Sequence, residues 1–370
     1  LVVVDAGQGQ RYAVDVFDVL GGQTHDYFLH GDADQPTSLA TTLPLAPLAT
    51  LLPPGFDWEP TRNEGETSRI SAPHYAYGFL RKLRSATVAG GDTLSLDFQD
   101  GQGTGPGLRV SLIPEADSQL IIGENPSIRG ADEDDTQLEN FHRPFMILRR
   151  NAAGGRSRFV SVLQPYASTP FLKSVERIPT EGEALVLRVV SGERTDYIVV
   201  DAQGAVSLPS DSAATNYTFA ATSAAIKISK LAEGRLLAPP AVGVLSLDAA
   251  GAVRTHVAGA GSWSRGAELQ TTGSLHTAQL RAVDGQTLVV DAAKDVPLPP
   301  AGAVLRLLTA DGWVYPFTLA AAQAAGESLR LEVVESPGIA WDPAAGQWQQ
   351  ISYPPRKHRG ELRIEWSVRQ

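Results

Sequence analysis

Two imidazoles, a phenol and a carboxylate crowd residues 25–30. Asp15 stands in Val14-Asp-Val-Phe-Asp18, and His25, Asp26, Tyr27 and His30 follow after a Gly21-Gly22 pair. The pattern predicts two strands joined by a tight turn, paired as a hairpin. Strand alternation sends His25, Tyr27 and Leu29 to one face and Asp26, Phe28 and His30 to the other. The two histidines therefore need separate partners. A carboxylate beside an imidazole on adjacent strands, as Asp15 would be beside the second strand, is half of a metal site or of a proton-transfer site. The plain alternative is a hydrogen-bonded polar patch at a sheet rim.

A second group of candidates follows. Residues 31–75 carry seven prolines, from Pro36 to Pro73, with Phe56, Trp58, His74 and Tyr75 before Tyr77. A loop this long is commonly functional or packed over something. Aromatic side chains above a sheet stack on sugar rings or fill a core edge. Arg81, Lys82 and Arg84, and Arg143, Arg149 and Arg150, are the basic clusters available to an anionic polymer; solvated strand faces are the other reading. Asp132-Glu-Asp-Asp135 lacks the ligand spacing of a calcium loop and reads as a solvated acidic turn. His142 is expected at a strand end, and His256, His276 and His358 at the surface.

The elements that must position these groups are strands. The chain has 370 residues, 43% apolar and 19% charged, with 35 glycines and 25 prolines punctuating short alternating runs. Strands are expected at 93–98, 108–113, 120–122, 144–150, 158–166, 171–178, 185–190 and 196–201, with a hairpin turn at Asn151-Ala-Ala-Gly-Gly155. Further strands are expected at 225–228, 244–247, 253–257, 276–282, 287–290, 304–308 and 328–334. The alanine run Ala320–Ala325 reads as a helical turn or two. Evenly spaced strands with turn signals predict an all-β chain, with a large antiparallel sandwich over 1–210 and a smaller β domain over 211–370. The boundary is set at the Pro/Ser/Asp/Ala-rich stretch 207–215.

Composition excludes several classes. A net charge of −10 argues against non-specific nucleic-acid binding, which needs a basic footprint. With no cysteine there are no disulfides, thiolate nucleophiles or cysteine-based zinc sites. No apolar run approaches the ~18 residues of a membrane-spanning helix. Phosphate-loop, dinucleotide, serine-elbow and His-Glu-x-x-His motifs are missing. A hydrolase with paired carboxylates is disfavoured, because no such pair stands out on one sheet face. The chain opens on Leu1-Val-Val-Val-Asp5, a buried-strand pattern, so we expect it to be the C-terminal part of a longer polypeptide.

The segment Tyr12–Gly31 resembles the start of the β-sandwich of heparinase II/III-like polysaccharide lyases: a valine–aspartate strand, a Gly-Gly turn, then a His-Asp-Tyr strand ending in His-Gly. Pro126-Ser-Ile-Arg-Gly130, Phe145–Arg150, Phe159–Tyr166 and Leu331–Ile339 are similar to later segments of that family. The resemblance implies an upstream (α/α) toroid, absent from this chain. It also implies eliminative cleavage of a uronate-containing acidic polysaccharide, in the periplasm or outside the cell. On this likeness His25, Tyr27 and His74 are candidate acid–base residues. Trp58, Tyr75, Arg81 and Arg84 are candidate substrate contacts. Asp15 and His30 match metal positions, an incomplete set for one zinc or calcium ion. The chain alone is then expected to be inactive. A non-catalytic carbohydrate-binding or structural sandwich is the alternative.

Overall fold

A computed structural model describes residues 1–32, 35–61, 71–103, 105–127, 134–180, 182–192, 194–200, 205–208, 217–221, 241–265, 268–291, 296–310, 313–351, 356–358 and 360–369. The expected strand at 225–228, most of the boundary stretch 207–215 and part of the acidic run lie outside them. The chain is all-β, built from several antiparallel sheets. It divides into two compact units, Leu1–Arg177 with Val189–Glu193, and Ile178–Arg188 with Arg194–Gln370. The composition shift at 207–215 falls within the second. Among the described residues no helix is long and apolar enough to cross a membrane.

Eleven strands make the two facing sheets of the first unit. They are β1 (Val2–Gly7), β2 (Gln10–Leu20), β3 (Thr24–His30), β4 (Thr37–Thr41), β5 (Ala46–Pro47), β6 (Arg81–Val88), β7 (Leu94–Asp100), β8 (Gly107–Leu112), β9 (Ser118–Pro126), β10 (His142–Asn151) and β11 (Arg156–Tyr166). One sheet runs β1-β2-β11-β8-β7-β4 and the other β3-β10-β9-β6-β5. Alternation supplies the apolar layer between them: Leu96, Phe98, Val110, Leu112 and Phe159 from the first sheet meet Tyr27, Leu120, Ile122, Met146 and Leu148 from the second.

The expected hairpin at 12–30 does not form. β2 pairs with β11 and β3 with β10, so the Gly21-Gly22 turn carries the chain from one sheet to the other. The expected hairpin at 151–155 is the same kind of crossing, because β10 and β11 also lie in different sheets. The two crossings run side by side. Gly21 N donates to Gly155 O at 3.0 Å, Gly154 N to Gly22 O at 2.6 Å and Ala152 N to Gln23 O at 2.8 Å. A tight turn bonded to a second tight turn needs no ladder within either pair.

Asp18 on β2 shows how charges clamp this end. It lies opposite Arg158 and accepts from Arg158 Nε at 2.9 Å and Nη2 at 3.0 Å, and from Arg156 Nε at 3.1 Å. Burial opposes its ionisation, but the two guanidiniums outweigh that and hold the carboxyl below its ordinary 3.8. A depressed folded-state value means stability that is present above the unfolded value and is lost as pH falls through the folded one. Asp18→Asn is therefore expected to cost about 1–2 kcal/mol at pH 7, with the gap from wild type closing at acid pH below 3.8. Urea unfolding at both pH values checks this; a gap that widens in acid would assign the stabilisation to another group.

Within the second unit, strands Arg194–Val200, Val242–Asp248 and Val253–Ala258 form one antiparallel layer. A core of Tyr197, Val199, Tyr217, Phe219, Leu245 and Trp263 fills it. A six-stranded closed barrel follows, in the order Glu268–Asp284, Thr287–Asp291, Ser328–Val333, Val314–Ala325, Val304–Leu308, Arg363–Arg369 and back to the first. Leu288, Val290, Leu305, Leu307, Leu331 and Ile364 fill its interior. The alanine run is strand, not helix. Ala322 and Ala324 face Leu331 and Leu329 across the Gly326 turn, and barrel closure overrides alanine's helical preference. His358 is likewise not at the surface: it is fully buried against Tyr315, whose hydroxyl lies 3.1 Å from Nε2.

Candidate functional site

β3 alternates as its sequence predicts, and the two faces have different fates. His25 and Tyr27 point into the sandwich and are buried. Tyr27 Oη donates to Asp15 Oδ2 at 2.8 Å, lies 2.9 Å from Ser161 Oγ, and its ring stacks on Phe159 at 5.6 Å. Burial, aided by Asp15, pushes the phenol above its usual range. His25 donates from Nε2 to the Gly21 carbonyl, which leaves Nδ1 to accept from Ser157 Oγ at 2.9 Å. An enclosed imidazole and an enclosed, protonated phenol do not reach a polymer. They tie β3 to β2 and β11 across the core.

The structure separates Asp15 from His30. Asp15 sits on β2 facing Tyr27, whereas His30 is exposed at the end of β3 on the opposite face, its Nδ1 donating to Gly31 O at 3.0 Å. Because β2 and β3 belong to different sheets, the adjacency the hairpin would have given is lost. Among the described residues no three His, Asp or Glu side chains are grouped to hold a metal ion.

The outer face of the second sheet, where Leu83, Ile121, Phe145 and Ile147 pack with Tyr77, carries most of the remaining candidates, whereas Arg84 pairs with Ile122 on the inner face. Asp26 accepts two bonds from Arg149, Nε at 2.8 Å and Nη2 at 2.7 Å, and one from Tyr77 Oη at 2.5 Å. Arg149 lies over the Tyr77 ring, and the exposed His74 stacks with the same ring at 6.0 Å between centroids. Burial and Asp26 push the Tyr77 phenol up to about 12, so it stays protonated at neutral pH. Tyr75 turns inward. Its hydroxyl donates to Asp135 at 3.1 Å and receives Thr61 N at 3.0 Å, and its ring packs with Phe79, Leu138 and Trp58. The expected substrate contact at Tyr75 is thus the centre of a small core, and Asp135 of the acidic turn is its anchor.

Trp58, Arg81 and Arg84 stay at the surface of two open pockets. The first, ≈ 590 Å³, is lined by Leu48, Phe56, Asp57, Trp58, Arg81 and Lys82 among others. Trp58 Nε1 donates to Tyr75 O at 2.8 Å, and Arg81 lies over its indole at 5.5 Å while also bonding Gly78 O and Glu139. The second pocket, ≈ 620 Å³, is lined by Thr37, Lys82, Arg84, Glu124, His142 and Arg143 among others. Both volumes fall within the ~300–1,000 Å³ of small-molecule sites. Lys82 and Leu83 line both.

A β-bulge makes this arrangement. Arg81 pairs with Glu124 and Arg84 with Ile122, so β6 carries one extra residue opposite Gly123. Lys82 occupies the bulge with a left-handed φ of 51°. Its ammonium, 75% exposed, bonds Glu124 Oε1 at 2.9 Å. β9 and β10 bring Arg143 alongside, whereas Arg149 and Arg150 are occupied by Asp26 and Glu115. Sequence reasoning singled out the cations and Phe56 but missed Glu124 and Glu139 beside them; nothing in residue type marks those two before the strand pairing is known.

The fold and these pockets define an all-β protein with aromatic and cationic side chains around one edge strand. No family model, curated protein or solved structure matches the chain.

Proposed function

We propose that the first unit binds an acidic polysaccharide at the cationic edge of its second sheet, around β6. The observation that carries this reading is the gathering there of Arg81, Lys82, Arg84 and Arg143, from two distant segments, with an open pocket on the outer face and another at the edge beside β4, in a chain whose net charge is −10. Trp58 and Phe56 supply apolar surface against which sugar rings stack. The likeness to heparinase II/III-like lyases points to a uronate-containing polymer and to a parent protein that cleaves it by elimination. Because His25 and Tyr27 are enclosed, leaving His74 the exposed one of the three acid–base candidates, we assign this chain the binding role.

The test is calorimetric titration of the 370-residue chain with alginate, heparin-type, chondroitin and hyaluronan polymers, and with neutral dextran, while absorbance is followed at the unsaturated-uronate band. We expect acidic polymers to bind, binding to weaken as salt rises, and absorbance to stay flat. Arg84→Ala should weaken binding by about two- to fivefold, the worth of one exposed ionic contact. Equal binding of dextran would remove the electrostatic basis of the reading. A rise in absorbance would move catalysis into this chain.

A further inference from the structure

We propose that the pocket at the mouth of the sandwich, between β4 and β6, is a site of its own for one oxyanion of an acidic sugar, a uronate carboxylate or a sulfate ester, and that Arg84 receives it. The inference rests on the acidic-polysaccharide reading and specifies which side chain meets the ligand's charge.

The sheet itself sets this pocket apart from the Trp58 pocket. Leu83 packs on the outer face with Ile121, Phe145 and Ile147, whereas Arg84, the next residue, pairs with Ile122 on the core side. Ile122 and Leu39 of β4 belong to the apolar layer between the sheets and line the pocket, so its floor is the sandwich core. β4 supplies one wall from the first sheet, with Thr37 and Ser38, and β6, β9 and β10 supply the rest from the second.

Positive charge is left over at this mouth. Arg81, Arg149 and Arg150 each hold a carboxylate, Glu139, Asp26 and Glu115 in turn. Arg84 is exposed and, among the described residues, has no hydrogen bond or ion pair. Glu124, the carboxylate that lines its pocket, is taken by Lys82 at 2.9 Å. Arg143 lines the pocket as well, so two guanidiniums and an ammonium, with His142 beside them, face one carboxylate. A guanidinium presents parallel N–H donors that match two oxygens of a carboxylate or a sulfate. An apolar floor with a few placed polar groups is the ordinary make-up of a small-ligand site: the floor carries the sugar ring while the fork fixes its anion.

The experiment titrates glucuronate, a glucose sulfate ester and uncharged glucose, at millimolar concentration, into the isotope-labelled wild-type chain, Arg84→Ala and Arg84→Lys. Arginine Nε–H and tryptophan indole N–H signals are followed by NMR, beside calorimetry with alginate and heparin-type polymers. The anionic sugars should shift the Arg84 signal and leave the Trp58 indole unmoved, and glucose should do neither. A response to one anion alone supports the site and names its anion. Arg84→Ala should lower the affinity for the small anion by about tenfold, a larger loss than for a polymer, which also meets Arg81. Arg84→Lys should restore only part of it, because an ammonium keeps the charge without the fork. Polymer binding with small-anion affinity unchanged in Arg84→Ala would overturn the inference and leave the acidic-polysaccharide reading in place. Self-association of that variant at unchanged anion affinity would assign Arg84 to guarding the sheet beside the two-residue β5, and overturn it too. Failure of both polymers to bind would remove the underlying reading and this inference with it.

Discussion

Tyr27→Ala is expected to destabilise the first unit by about 3–5 kcal/mol, the range for removing a large buried aromatic, and to leave the affinity for acidic polysaccharide unchanged. Tyr27 is 7% exposed and stacks on Phe159 between the sheets. Its hydroxyl is also the donor to Asp15 and a partner of Ser161. Tyr27→Phe keeps the ring and removes only that link, leaving the Asp15 carboxylate short of a donor and the buried Ser161 hydroxyl short of an acceptor, for a loss of about 1–3 kcal/mol. Strand alternation points Tyr27 away from the outer face that carries the Trp58 pocket, and Tyr27 lines neither pocket. Urea unfolding followed by tryptophan fluorescence gives the stability term, and calorimetry well below the transition gives the affinity. Full stability of Tyr27→Phe with lost binding would return Tyr27 to a functional role.

Tyr27 also shows what the sequence makes legible. The period of two in Thr24–His30 assigns each side chain to its face without any knowledge of partners, and the structure keeps that assignment. The strands themselves are equally readable, because apolar alternation and turn residues are local. Pairing is not. The Gly21-Gly22 turn, with φ of 78° and 76°, serves a hairpin or a crossing between sheets equally well. What decides is that β2 and β3 each find a partner more than a hundred residues away. The predicted neighbourhood of Asp15 and His30 fails for this reason alone. The same limit explains the run Ala320–Ala325, where local propensity favours helix and the barrel partner Ser328–Val333 makes it strand.

The cationic face is legible in composition and hidden in geometry. Arg81, Lys82 and Arg84 are visible as a cluster, and so are Arg143, Arg149 and Arg150. Their fates divide only once β6, β9 and β10 lie side by side: Arg143 joins the pocket, while Asp26 and Glu115 take the other two. The bulge leaves no sequence mark at Lys82, since the residue there is not the glycine or asparagine that usually signals a positive φ. Its trace is the glycine on the opposite strand.

Gly123→Ala is accordingly expected to lower stability and polysaccharide affinity together. The added methyl would lie 2.6 Å from Arg81 O and 2.9 Å from both Leu83 Cδ2 and Phe145 Cε1. Phe145 is fully buried and Leu83 nearly so, which leaves little room to yield on those two sides. Overpacking of this kind costs about 1–3 kcal/mol or more. The carbonyl contact is the closest, so relief comes by moving the Arg81–Leu83 backbone, and that movement shifts Arg81, Lys82 and Arg84 together. Gly78→Ala is the informative contrast. Its methyl would strike the Trp58 indole, disturbing the first pocket while leaving the bulge in place. Gly123→Ala should therefore lose affinity through the displaced cations, and Gly78→Ala through the Trp58 pocket alone. A Gly123→Ala protein with wild-type urea midpoint and wild-type affinity for acidic polysaccharide would mean that the backbone of β6 shifts freely there, and that the cations do not depend on the bulge for their placement.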